Sequence, residues 1–324
     1  MGVVPVYKKR EETVEKEFSR MEPALIVFRQ TLTMAIYMFL GFALFKTGKI
    51  TKEGSKSLAN VLVWLVIPTV IVDSFCVPFS IDKLSQLGIS ALLAAGALAV
   101  SILVSRLIYP KRPIDNFAAS FSNCGFMGIP LVRAGFGDEA VFLLVGFVVL
   151  LNLMQWTYGA GLLRGEKVGM SPKALLLNPI AIGTGIGLLL FLTGLGSRLP
   201  SFARGAVSGV AGLNSPVAMI VLGIYLAQTE LRRTFLSPRL YALSGVRLLL
   251  IPALTLLPLI FLPVEATVKF VILVAAAAPV GANVAVYAQL YNQDYPYACQ
   301  TVALSTVLSI LTLPVAVAVA GLVF

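Results

Sequence analysis

The sequence has no histidine and few charged residues. Histidine is absent from all 324 residues, and Asp, Glu, Lys and Arg together make up 12% of them. Without histidine, the chain lacks the commonest metal ligand and the usual proton relay near neutral pH. The three cysteines, Cys76, Cys124 and Cys299, are too scattered for a disulfide framework or a metal site. Because neither metal ligands nor a nucleophile–base pair can be assembled, we predict neither an enzyme nor a bound cofactor.

Apolar sequence is abundant. Hydrophobic residues make up 58% of the chain, whereas its charged share is about half that of soluble domains. Apolar runs of about 20 residues are long enough to cross a bilayer as helices. We therefore predict an all-α polytopic membrane protein with ten transmembrane helices, at approximately 24–45, 55–75, 84–108, 114–135, 139–163, 174–195, 203–228, 239–261, 267–291 and 296–323.

The basic residues predict the orientation of these helices and do not indicate a nucleic-acid partner. The formal net charge is +10, but Lys and Arg lie in short connecting loops. One alternating set of loops holds thirteen of them and the other set holds five. The positive-inside rule places the first set in the cytoplasm, with both termini outside a bacterial-type cell membrane. The first set is Lys46, Lys49, Lys52, Lys56, Arg106, Lys111, Arg112, Arg164, Lys167, Lys173, Arg232, Arg233 and Arg239, and the second is Lys83, Arg133, Arg198, Arg204 and Lys269.

The order of the segments predicts two repeats. Residues 24–163 form the first five-helix repeat, 164–173 a polar cytoplasmic connection, and 174–324 the second repeat. Because five is odd, the second repeat enters from the opposite side, so the repeats are inverted, as in many secondary transporters. Residues 1–23 are polar, and we expect a disordered tail or a loose surface helix there. Met21 is an alternative native start.

Two apolar segments contain residues that interrupt helices. Proline removes a backbone donor, and a broken membrane helix is tolerated only where it lines a cavity or is buried in protein. Matched interruptions in two repeats indicate a transporter binding site, although kinked helices with packing glycines are an alternative. The interrupting residues are Asn123, Gly125, Gly128 and Pro130 in the fourth segment, and Pro279, Gly281 and Asn283 in the ninth.

The chemistry of such a site favours an anion. Half-helix N-termini carry partial positive charge and free N–H groups, which suit a carboxylate. Asn123 and Asn283 add donors, unless they only satisfy backbone groups freed by the prolines. Arg247 is the only cation predicted well inside a helix. It can bind the substrate, pair with Asp115 or Asp73, or extend to the membrane edge.

The residues do not determine which ion gradient or potential drives transport. We expect no buried carboxylate near either interruption, which disfavours simple proton-coupled antiport. Coupling to Na⁺ or H⁺, or uniport driven by membrane potential, stays open. Thr301, Ser305, Ser309 and Thr312 form a polar stripe on the last helix. The stripe either faces the interruptions or bonds back to its own helix.

Several motifs resemble the auxin efflux carrier family, in its short bacterial-type form. The resemblance covers residues 24–324. The motifs are Asn123-x-Gly-x-Met-Gly-Ile-Pro-Leu with Phe136-Gly137, Ala278-Pro279-x-Gly-Ala-Asn283 with Tyr287-Ala288, Ser305-Thr306-x-x-Ser309-x-x-Thr312-x-Pro314, and Lys46-x-Gly48-Lys49-Ile50-Thr51 with Pro68.

The resemblance implies a fold related to the bile-acid sodium symporters. Helices four and nine would cross at their breaks, with Tyr287 and Ser305 close to the crossing. Helices one, two, six and seven would form a scaffold and a homodimer interface, and the other helices would move as an elevator. The implied substrates are small organic anions, such as an indole carboxylate, malate or malonate, which the protein would export or exchange. The alternative is a membrane-embedded sensor that binds the same ligand without net transport.

Overall fold

The computed structural model describes residues 4–165 and 178–324, with side chains from residue 22 onward. The regular elements among these residues are helices. They are α1 (Val4–Lys46), α2 (Lys52–Phe75), α3 (Ile81–Ile108), α4 (Pro113–Ser120), α5 (Cys124–Phe136), α6 (Asp138–Arg164), α7 (Pro179–Leu192), α8 (Ser201–Ala227), α9 (Leu231–Phe235), α10 (Pro238–Phe261), α11 (Ala266–Ala277), α12 (Asn283–Leu290) and α13 (Tyr295–Val323).

Seven helices of the described chain are long and apolar enough to cross a membrane. They are α1 from residue 22 onward, α2, α3, α6, α8, α10 and α13, and they coincide with seven of the ten predicted segments. The fourth segment is divided between α4 and α5, and the ninth between α11 and α12. The described part of the sixth is α7, of 14 residues. The prediction of an all-α polytopic membrane protein is therefore confirmed.

Two polar stretches were predicted outside the membrane spans. The N-terminal stretch, residues 1–23, is helical from Val4 and continues without interruption into the first span. Extending a helix that has already formed adds one hydrogen bond per residue, so elongation is easy. Most of the predicted connection at 164–173 lies outside the described residues.

Close backbone contact fixes α1 against α8. Gly41 of α1 faces the backbone of Ile220, and Gly223 of α8 faces the backbone of Met38. A Cβ atom on either glycine would overlap the opposing backbone, so only glycine permits this approach. The same principle joins α7 to α2, where Gly183 lies against Pro68. Among the helices predicted to form a scaffold, α1 therefore contacts α8, and α2 contacts α7.

Ion pairs and polar contacts divide into two groups at opposite ends of the helices. Each pair joins residues that the loop charges assign to the same side, and among the described residues no side-chain ion pair joins the two sides. This agreement supports the predicted alternation of the loops. One group contains Lys83–Glu139, Arg133–Asp73, Arg133–Asp138, Arg204–Asp73 and Gln86–Glu265, and the other contains Arg112–Asp115, Arg239–Asp115 and Arg164–Tyr291.

The three cysteines, Cys76, Cys124 and Cys299, are free and buried. Burial raises the pKa of the Cys76 thiol above its ordinary value, which keeps this sulfur in its unreactive thiol form near neutral pH. Buried thiols also react slowly because reagents cannot reach them. Engineered cysteines on the loops therefore have a low labelling background.

Candidate functional site

The first interruption separates α4 from α5. Helix α4 ends at Ser120, Phe121 is extended, and α5 begins at Cys124. The break therefore covers residues 121–123 and shares only Asn123 with the predicted stretch, whereas Gly125, Gly128 and Pro130 lie within α5. The helical interruption is confirmed, and its position is corrected.

A π-helical turn explains why Pro130 does not break the helix. Residues Cys124–Gly128 form this turn, in which the Ile129 N–H bonds to the Cys124 carbonyl. The wider turn places Pro130 near the start of the regular helix that follows, where its missing donor is not needed. The same arrangement occurs in α10, where a π-helical turn over Val246–Leu250 precedes Pro252.

The second interruption lies where the sequence predicted it. Helix α11 ends at Ala277, and α12 begins at Asn283. Pro279 and Gly281 lie in the non-helical residues between the two helices. The ninth segment is therefore two short helices joined by an extended linker.

The two interruptions meet and pair through their backbones. Ser122 and Val280 form an isolated antiparallel β-bridge. The Asn123 N–H donates to the Pro279 carbonyl over 2.8 Å, and the Gly281 N–H donates to the Phe121 carbonyl over 2.9 Å. Each break thus satisfies backbone groups that the other helix has lost, as is required inside a membrane.

Two glycines have opposite surroundings at this meeting point. A Cβ on Gly281 would lie 3.1 Å from the Ser122 carbonyl oxygen and 3.2 Å from that of Phe121. A side chain there would be tight against backbone atoms, so glycine favours this close approach. A Cβ on Gly125 would meet no atom within 4 Å. The space beside the first turn of α5 is consequently open.

Ser305 connects the last helix to the second break. Its hydroxyl accepts the Val280 N–H over 3.1 Å and donates to the Val302 carbonyl over 3.1 Å. Thr301 and Ser309 only bond back to carbonyls of their own helix. The Thr312 hydroxyl is buried without a hydrogen-bond partner among the described residues. Of the predicted stripe, Ser305 is the residue whose hydroxyl bonds to the break.

Amide side chains surround the meeting point. The Asn123 amide nitrogen is buried and has no partner in the described part of the chain. Asn283 donates to Gln155 over 2.7 Å, and Asn214 donates to the Gly125 carbonyl over 3.1 Å. The sequence analysis did not identify Gln155 as a site residue. The only signal for this residue was an amide side chain within the apolar fifth segment.

An aromatic cluster adjoins the second break. The ring of Tyr287 lies 5.4 Å from that of Phe117, 5.8 Å from Trp156 and 6.0 Å from Tyr291, between centroids. The Tyr287 hydroxyl is buried without a partner among the described side chains and backbone. A buried phenol normally has a hydrogen-bond partner, so a hydroxyl without one is unusual at this position.

Arg247 binds the backbone of both interrupted segments. Its side chain is fully buried, with 1% exposure. The guanidinium donates to the carbonyls of Ala119 over 2.9 Å and Ala278 over 3.2 Å, and also to that of Ala276. The Arg247 side chain therefore joins the C-terminal ends of α4 and α11.

The proposed pairing of Arg247 with Asp115 is not present. Asp115 is fully buried on α4 and accepts Arg239 over 2.7 Å and the Tyr297 hydroxyl over 2.6 Å. Asp115 lies in the first turn of α4, at the opposite end of that helix from the first break, so the expectation of no buried carboxylate near either break stays a prediction. The sequence alone did not indicate that the Arg239 guanidinium would pair with the Asp115 carboxylate.

Pairing of Arg247 with Asp73 is also absent. Asp73 lies 3.4 Å from Arg133 and 3.6 Å from Arg204, and it accepts the Ser208 hydroxyl over 2.9 Å. These contacts link α2 to α5 and α8 at the opposite end from Asp115. Both buried acids thus have partners other than Arg247.

Lys269 is a second buried cation inside a helix. It lies in α11 with 8% exposure, and its ammonium nitrogen is 5.2 Å from the centroid of the Phe324 ring. Lys269 lies in the first turn of α11, within the predicted ninth segment, so it does not contradict the prediction that Arg247 is the cation well inside a helix. The aromatic face at the end of α13 accommodates the charge.

Known proteins support the resemblance found in the sequence. The family of membrane transport proteins, which includes the auxin efflux carriers, matches residues 26–317. An uncharacterized transporter of Methanothermobacter thermautotrophicus is 25% identical over 293 residues, which cover 87% of this chain and 95% of that relative. The chain therefore belongs to the membrane transport protein family and is a membrane transporter.

Proposed function

We propose that the protein is a secondary carrier for a small organic anion, which binds where the two interrupted segments meet. The observation that carries this proposal is the Asn123 amide, which is buried at 5% exposure and has no partner among the described residues. An unpaired buried donor costs about 1–3 kcal/mol. A ligand that accepts this hydrogen bond removes the cost.

The charge at the meeting point supports an anion. Helices α5 and α12 begin there, and the first N–H groups of a helix lack intrahelical partners and carry partial positive charge. The Gly125 position borders open space at the first turn of α5. A carboxylate there would be within reach of the Asn123 donor and the α5 N-terminus. Tyr287 and its aromatic neighbours suit an indole carboxylate better than malonate.

The same observations support an inverted-repeat carrier. In this proposal α4 with α5, and α11 with α12, act as the fourth and ninth of ten membrane spans and cross at their breaks. Helices α1, α2, α7 and α8 form the scaffold and the homodimer interface. The remaining helices move with the substrate as an elevator. The pair between Arg133 on α5 and Asp73 on α2 joins the two parts, so it would break during movement.

Binding of carboxylates to purified protein tests the site. We expect a panel of indole-3-acetate, malate and malonate to contain a compound that raises the melting temperature saturably. Loss of one hydrogen bond to a charged group costs about 1.5–3 kcal/mol, so Asn123→Ala would weaken that binding about 10- to 150-fold.

Asn60→Ala is the matched control, because Asn60 is exposed on α2. We expect this variant to bind the carboxylate with wild-type affinity. Equal affinity in a folded Asn123→Ala variant would remove the meeting point as the binding site.

A further inference from the structure

The surroundings of Arg247 have the chemistry of a cation site. Three backbone carbonyl oxygens, of Ala119, Ala276 and Ala278, converge on the guanidinium. Uncharged oxygen ligands of this kind hold Na⁺ in transporters with broken helices. Two of these carbonyls belong to the last turns of α4 and α11, where each helix end carries about half a negative charge.

No carboxylate balances the guanidinium in the described parts of the chain. The two buried acids, Asp115 and Asp73, are held by other arginines. The positive charge of Arg247 is therefore stabilised by carbonyl dipoles alone. A single cation at this position satisfies both helix ends at once.

We propose that Arg247 is a tethered cation that occupies a monovalent-cation site formed by the C-terminal ends of α4 and α11. A guanidinium stays protonated at any physiological pH and cannot dissociate from the chain. The site is consequently closed to a free ion in the native protein. Removing the side chain exposes the three carbonyls and creates a site for Na⁺.

The site is distinct from the position proposed for the organic anion. The anion would contact the N-terminal ends of α5 and α12, whereas Arg247 contacts the C-terminal ends of α4 and α11. Cation binding can therefore be measured without any substrate. The result does not depend on whether the protein transports an organic anion.

Thermal unfolding of purified protein tests the proposal. Melting temperatures are measured in NaCl and in choline chloride at equal ionic strength, for the wild type and for Arg247→Ala. A ligand that binds only the folded state raises stability with its concentration. We expect a saturable rise with Na⁺ in Arg247→Ala and none in the wild type. Low millimolar guanidinium chloride would also stabilise the variant, because it restores the missing group.

Two further variants make the test specific. Arg247→Lys keeps a tethered cation, and we expect it to show no Na⁺ response. Lys269→Ala removes a different buried cation from α11, and it would also show none. A saturable Na⁺ response of the wild type or of Lys269→Ala equal to that of Arg247→Ala would overturn the proposal. So would an Arg247→Ala variant that gains nothing from either cation or cannot be recovered folded in their presence.

Discussion

Substitution of Gly281 by alanine tests the contact between the two interruptions. The added methyl group would lie 3.1 Å from the Ser122 carbonyl oxygen and 3.2 Å from that of Phe121. These atoms belong to backbone, so relief requires the first break to move away. That movement would stretch the bonds from Gly281 to Phe121 and from Asn123 to Pro279.

The expected cost follows from two contributions. Overpacking a dense interior costs about 1–3 kcal/mol, and each weakened backbone hydrogen bond costs about 0.5–1.5 kcal/mol. Together we expect Gly281→Ala to lower the free energy of unfolding by about 2–6 kcal/mol. Gly125→Ala is the matched control, because its methyl group would meet nothing within 4 Å.

Unfolding in mixed micelles, followed by tryptophan fluorescence, measures both variants under one condition. We expect Gly125→Ala to stay near wild-type stability and to lose ligand affinity, because its methyl group enters the proposed site. Gly281→Ala would show a lower free energy of unfolding than the wild type in the same measurement. If Gly281→Ala were as stable as the wild type, the close backbone pairing of the breaks would be refuted.

Three further predictions concern other contacts. Ser305→Ala would leave the buried Val280 N–H unpaired and would cost about 1–3 kcal/mol in unfolding measurements. Ser309→Ala loses only a bond within its own helix and would cost less. Equal losses would contradict the role of Ser305 at the second break. Asp115→Asn removes the buried carboxylate charge that binds the half-exposed Arg239 and would cost about 1.5–3 kcal/mol. Glu139→Gln, whose side chain is 77% exposed, would change stability by less than about 1 kcal/mol. In intact cells, a membrane-impermeant maleimide would label Glu139→Cys and spare Lys111→Cys, and the reverse pattern would overturn the predicted orientation.

The sequence was sufficient to predict the interruptions themselves. Proline, glycine and asparagine within an apolar run are unfavourable in a continuous membrane helix, so Pro279 and Gly281 marked the second break correctly. The first break was placed too late, because the π-helical turn that accommodates Pro130 leaves no distinctive residue pattern. Local composition thus indicates that a helix is irregular, but not which turn absorbs the irregularity.

The contacts of the site could not be predicted in the same way. Arg247 bonds to carbonyls that lie 29 to 128 residues away in the chain, and carbonyls are present at every position. Nothing in the sequence distinguishes the three carbonyls that accept hydrogen bonds from Arg247. The Asn283–Gln155 pair likewise depends on how α6 and α12 are rotated against each other, which is set by tertiary packing.

Counterflow in proteoliposomes tests the central claim most directly. Vesicles loaded with an unlabelled carboxylate that binds the purified protein are diluted into a trace of the labelled compound. The account predicts rapid transient accumulation of label with the wild type, and little accumulation with Asn123→Ala at equal reconstitution. Saturable binding by the wild type without any exchange of label would contradict the account and identify a sensor.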